Sequence, residues 1–134
     1  MTQEDKDLLL KDLSARLPYG VICRRLKNAY EVVDINIKRG VVYLLRDETY
    51  VPYSISAGDE INPYLRPMSS MTEEELKIYH SYCECDDGDF TGEILYFDTI
   101  ESFDYLTSIH IDYRGLIPMG LAIEVTEENN PYKK

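Results

Sequence analysis

Ala29-Tyr30-Glu31-Val32-Val33-Asp34-Ile35-Asn36-Ile37-Lys38, followed by Arg39-Gly40 and then Val41-Val42-Tyr43-Leu44-Leu45-Arg46, is the stretch from which the fold is read. Val33, Ile35 and Ile37 alternate with Asp34, Asn36 and Lys38, which predicts a strand with one buried and one wet face. Lys38-Arg39-Gly40 suits a three-residue hairpin loop with glycine in the left-handed position. Residues 21–26 read as a preceding strand joined through a two-residue turn at Lys27-Asn28, so the spacing predicts a β-meander over 21–26, 29–38 and 41–46. Residues 49–55 extend it, with Pro52 pointing to an edge or a bulge because proline cannot donate to a central ladder.

Helical signals flank the meander. Thr2 caps a predicted helix over 2–16, Glu4, Asp5 and Asp7 suit its positive end, and Leu9, Leu10, Leu13 and Leu17 share a face. Pro18-Tyr19-Gly20 stops it. Ala57-Gly58-Asp59 breaks the chain after the fourth strand, and Pro63 and Pro67 predict an extended connector over 62–71, laid over the fold. Thr72 with Glu75 forms a capping box for a helix to about residue 82, with Leu76, Tyr79, His80 and Cys83 on one face. Residues 84–89 read as an exposed acidic loop and 93–97 as a short strand. A third helix is expected over 99–111, packing through Ile100, Phe103, Leu106 and His110. A last strand follows over 121–125, and then a frayed tail over 126–134. Strands that cluster instead of alternating with helices indicate a single α+β domain over 1–134. Its expected form is an antiparallel sheet of about four to five strands against two to three helices.

Composition limits the functions. The formal charge is −11, from 14 lysines and arginines against 25 aspartates and glutamates. Direct nucleic-acid binding is therefore not expected, since carboxylates repel phosphates. No apolar run has the roughly 18 to 20 residues of a membrane span, and the acidic start lacks the pattern of a secretory signal, so a cytoplasmic protein is expected. Three cysteines without an export signal suit reduced thiols more than a disulfide framework.

Three stretches carry a resemblance: residues 3–13 with Arg16-Leu17-Pro18-Tyr19-Gly20-Val21; Asn62-Pro63-Tyr64-Leu65-Arg66-Pro67-Met68-Ser69-Ser70-Met71-Thr72-Glu73-Glu74-Glu75; and Asp112-Tyr113-Arg114-Gly115-Leu116-Ile117 with Gly120-Leu121-Ala122-Ile123-Glu124. Together they resemble a family of small uncharacterised proteins that recurs in gut Bacteroidetes and in their prophages and mobile elements. The likeness spans the start, middle and end of the chain. It implies a phage or mobile-element setting, in which small accessory proteins act by binding host or phage proteins. The sequence departs from that family at His110, which lies between Ile109 and Ile111 where paired histidines with an aromatic are usual, and at Pro118-Met119, which replace a Glu-Lys pair.

Chemistry-bearing residues are sparse. His80, Cys83, Cys85 and His110 have the composition zinc favours, but not the two separated ligand pairs of a structural site. The acidic tract lacks the alternating ligands and late glutamate of an EF-hand. With no phosphate loop, dinucleotide fingerprint, nucleophile elbow or zincin motif, neither cofactor nor metal is expected and an enzyme is the weaker reading. Tyr53, Tyr64, Arg66 and Met68, in or near the connector, are the candidate binding residues, because tyrosine and arginine supply contact area at protein interfaces. The reading is a protein-binding module. Its alternatives are an acidic mimic of DNA that inhibits a nucleic-acid-binding protein, and a small enzyme using a carboxylate or histidine.

Overall fold

The meander forms much as its turn chemistry dictates. In a computed structural model, which describes residues 1–86 and 95–132, β1 (Ile22–Arg25), β2 (Asn28–Asn36), β3 (Val41–Arg46) and β4 (Thr49–Ser54) pair antiparallel in chain order. Gly40 takes φ +67°, and its carbonyl accepts from Ile55 N–H at 2.8 Å. The β1–β2 turn falls at Leu26-Lys27, one residue earlier than the spacing predicts, with Leu26 at φ +57°. β4 is an outer strand, the place its proline requires.

The alternation expected for β2 is corrected by a bulge. Val32 pairs with Leu44 and Asp34 with Tyr43, so Val33 is an inserted residue. The insertion shifts the two-residue period by one, which lets Val32 and Ile35 both face the core while Ile37 falls in the exposed turn.

The connector reading of residues 62–71 is also corrected. Asn62–Leu65 is a strand, β5, placed inside the sheet and antiparallel to β1, with Asn62, Pro63 and Leu65 buried. A further strand, β8 (Ile123–Glu124), pairs parallel to β5, giving a mixed six-stranded sheet in the order β4-β3-β2-β1-β5-β8. Proline tolerates this site because β1 and β5 share a pairing of only two residue pairs. The expected strand over 93–97 contributes Leu95–Phe97, β7, which pairs with β6 (Glu84–Asp86) in a separate ribbon. The expected acidic loop thus begins as strand, and its residues 87–89, like 93–94, lie outside the described residues.

Among the described residues three helices complete a single α+β domain with an open, mostly antiparallel sheet. Helix α1 (Gln3–Arg16) starts at a reciprocal cap, Thr2 Oγ1 accepting from Asp5 N–H at 3.1 Å while Asp5 Oδ2 accepts from Thr2 N–H at 3.2 Å. It buries Leu9, Leu10 and Leu13 against Val21, Cys23, Val32, Val42, Leu44, Ile61 and Leu65. Helix α2 (Glu73–Tyr82) begins at the Thr72–Glu75 box. Helix α3 (Ile100–Ser108) is capped by Thr99 and ends three residues before the expected 111. There Ile109 closes it, and His110 turns to φ +65°. Its buried side is Ser102, Leu106 and Thr107, a correction to the expected packing through Ile100 and Phe103, both of which are exposed. Of the tail expected to fray over 126–134, residues 126–132 are held by hydrogen bonds, Thr126 and Asn129 closing a turn and Tyr132 donating to Tyr64 O at 2.8 Å while accepting from Ile22 N–H at 3.0 Å, and residues 133–134 lie outside the described residues. No helix among the described residues is long and apolar enough to cross a membrane.

Candidate protein-interaction face

Arg66 is a structural anchor. Its guanidinium grips Glu75 with two parallel bonds, Nη2 to Oε1 at 2.7 Å and Nη1 to Oε2 at 2.9 Å, and also donates to Ser70 O at 3.1 Å. Its backbone bridges to the end of α3, with Arg66 N–H donating to His110 O and Asp112 N–H donating to Arg66 O, both at 2.8 Å. The bond from Arg66, joined by those within the Thr72 cap, holds the Glu75 carboxyl down at about 2 despite the opposing effect of burial. One arginine therefore fixes the end of β5, the start of α2 and the end of α3.

The other expected binding residues do not gather around it. Tyr64 is half-buried on β5, its carbonyl taken by Tyr132. Tyr53 lies on β4, at the opposite edge of the sheet order from β5 and β8. There it sits under the Arg25 guanidinium at 5.2 Å and accepts a hydrogen bond from Arg46. Met68 is exposed in the 3-10 turn Met68–Ser70.

The motif around Asp112 is equally occupied with the fold. The Asp112 carboxylate accepts from the N–H groups of Gly115, Leu116 and Ile117 at 2.9 to 3.0 Å, which turns Leu116 into the core. Arg114 donates to Asp12 Oδ1 at 3.1 Å, and fully buried Arg16 donates to Asp12 Oδ2 at 2.8 Å and to Ile111 O at 2.7 Å. His110 stacks on Tyr132 with ring centroids 3.7 Å apart. Burial, then the charges of Arg16 and Arg66, lower its pKa to about 4, so it is neutral at physiological pH. Burial raises the Cys23 thiol far above its usual range, which leaves it inert. The residues read as zinc-like in composition are separated by use. His80 stacks on Tyr96 at 3.7 Å, Cys83 is buried and Cys85 is exposed. Among the described residues no group of three or more His, Cys, Asp or Glu is arranged to hold a metal ion.

What sequence reasoning missed is the lobe built from α2, the β6–β7 ribbon and α3. Helix α2 buries none of its ten residues. Leu76, Ile78 and Tyr82 on α2, Leu95, Tyr96 and Phe97 on β7, and Ile100 and Phe103 on α3 are all exposed, Ile100 by 78% and Phe97 by 51%. Polar ties hold the lobe: Arg66 to Glu75, Tyr79 hydroxyl to Asp98, and Thr99 hydroxyl to Tyr82 O at 2.6 Å. Lys77 is the sole lysine or arginine between positions 73 and 108, against Glu73, Glu74, Glu75, Glu84, Glu101 and Asp104 among others. This is an apolar surface with an acidic surround. Ile100 and Phe103 gave no warning in the sequence, because their helical spacing with Leu106 reads as a core stripe.

Comparison with protein-family models, with curated proteins and with solved structures gives no match.

Proposed function

We propose that this chain is a protein-binding module whose contact surface is the α2–β7–α3 lobe. The observation that carries the reading is the concentration of exposed large apolar side chains in a lobe whose central helix buries nothing, while Leu, Ile and Val elsewhere fill a core. Concentrated apolar exposure marks interaction surfaces, whereas scattered exposure is ordinary. The carboxylates around it favour a partner with basic residues at the rim of its own contact patch. The resemblance to a mobile-element family supports an accessory role in a cytoplasmic setting. The acidic surround also supports the second reading, occupation of a nucleic-acid-binding protein by carboxylates standing where phosphates would, because such a partner supplies the complementary basic surface.

The test is affinity capture from a native host lysate with a charge-matched control protein, using wild type and the triple variant Ile78→Ser, Phe97→Ser, Ile100→Ser. Wild type is expected to retain a discrete partner that the folded triple variant loses at least tenfold. Tyr50→Ser, on exposed β4, leaves capture intact in this account. Equal capture by the triple variant overturns the proposal.

A further inference from the structure

Tyrosine rings in this fold are repeatedly covered by the chain's own arginines. Arg25 lies over Tyr53, Arg46 over Tyr30, and Arg16 and Arg114 over Tyr113, at 4.9 to 5.4 Å from the ring centroids. Among the tyrosines without such a cover, three gather beside two carboxylates. Tyr19, Tyr82 and Tyr105, with Glu101, Asp104 and Ser108, line an open groove of about 320 Å3 beside α3. Tyr82 and Tyr105 stand with ring centroids 5.8 Å apart, tilted by 38°. No lysine or arginine lines the groove, and among the described residues Glu101 and Asp104 have no ion-pair partner. Arg66, the cation whose field reaches Tyr105, is committed to Glu75.

We infer that this groove receives an arginine side chain presented by the basic partner of the lobe. A guanidinium is planar, stacks on aromatic faces and pairs with carboxylates through fixed donors, so one group satisfies both the tyrosines and the two acids. A carboxylate or phosphate ligand is disfavoured by Glu101 and Asp104, and an apolar ligand would bury both acids unpaired. The groove stands at the α3 side of the apolar lobe, with Tyr82 belonging to both, so an arginine anchor would sit at the edge of the apolar contact. This inference rests on the protein-binding reading, and its test is arranged to fail independently of it.

The test is an NMR titration of the full chain with the blocked peptide acetyl-Gly-Arg-Gly-amide, and with the same peptide carrying citrulline, the neutral isostere of arginine. Saturable amide shifts are expected at Tyr82, Glu101, Asp104 and Tyr105 with arginine, and at least fivefold weaker binding with citrulline. Asp104→Asn and Tyr105→Leu should each weaken the arginine peptide at least fivefold. The Asp104 side chain makes no hydrogen bond or ion pair among the described residues, so its variant is expected to keep the wild-type amide spectrum elsewhere. Equal binding of citrulline, shifts spread over the acidic surface, or no saturation overturns the inference. Because the titration contains no partner, it can fail while capture by the lobe stands. Equal capture by the triple variant with the titration intact overturns the protein-binding reading of the lobe and leaves the arginine groove standing.

Discussion

Helices α1 and α2 begin in the same way and do opposite things with their apolar residues. Both start at a threonine in a reciprocal capping box with an acidic residue three positions on. Helix α1 then buries Leu9, Leu10, Asp12, Leu13 and Arg16, whereas α2 buries none of its residues. A cap fixes where a helix starts, and packing decides what the helix is for. In α1 the buried face includes a charge cluster tied to distant parts of the chain: Asp12 pairs with Arg16 on the same helix and with Arg114, and Arg16 donates to the Ile111 carbonyl. In α2 the polar ties run along the helix margins and its apolar side chains are left to solvent. The first helix organises the core. The second presents a surface.

The largest effect that separates the two regions is expected at Asp12. Removing its carboxylate leaves Arg16 fully buried without its charge partner, so Asp12→Ala should cost about 3–5 kcal/mol, read from urea denaturation. A loss below about 1 kcal/mol would mean that the cluster is dispensable and that α1 is held by its leucines alone.

Arg66→Ala comes next, at about 1.5–3 kcal/mol, through loss of charged hydrogen bonds that join the sheet to the lobe. Its partner sets a pH signature. The folded Glu75 carboxyl titrates at about 2, below its ordinary 4.5, so folding favours the charged form and the stabilisation is complete above pH 4.5. It is lost as pH falls from 4.5 towards 2, and Arg66→Ala should flatten that part of the stability–pH curve. His110 acts in a higher window by the same logic. Its pKa is lowered from 6.5 to about 4, so the unfolded chain binds the proton first and stability falls as pH drops through 6.5 to 4. His110→Asn keeps a residue type that tolerates positive φ and should remove that slope.

A smaller effect is expected at the cap of α2. Thr72→Ala should cost about 1 kcal/mol and loosen the lobe without altering the sheet, which hydrogen exchange along α2 and β3 would resolve. Equal loss of protection in both elements would show that the lobe and the sheet unfold as one unit.

The parts of the fold legible in the sequence are those fixed locally. The caps at Thr2 and Thr72 and the left-handed Gly40 depend on residues within a few positions of one another, and they stand where the spacing puts them, although the hairpin loop runs over 37–40 and is one residue longer than expected. The bulge at Val33 is invisible to a period-two reading, since Val32 and Val33 are equally apolar and only pairing with Leu44 and Tyr43 decides between them. The insertion of β5 beside β1 and the parallel pairing of Tyr64 with Ile123 join segments far apart in the chain and leave no local mark. The burial of Asp12 and Arg16 leaves no local mark, because their partners Arg114 and Ile111 lie about a hundred residues away. Of the candidate site, Arg66 was visible as an unusual residue in an unusual stretch, but its bonds to Ser70, to Glu75 on α2 and to the backbone of His110 and Asp112 just past α3 make it a clamp. The lobe escaped notice because exposed Ile100 and Phe103 share helical spacing with buried Leu106, whereas Ser102 and Thr107, which are buried beside it, look polar.

The most direct measurement of the contrast between the two helices is the unfolding free energy of the triple variant Ile78→Ser, Phe97→Ser, Ile100→Ser set against wild type. Surface positions outside a packed core shift stability by about 0.5 kcal/mol each, so the account predicts a combined loss of no more than about 1.5 kcal/mol with a cooperative transition. A loss above about 4 kcal/mol, as expected for removing large apolar side chains from a core, would mean that the lobe's apolar residues stabilise the fold and would contradict their assignment to a binding surface.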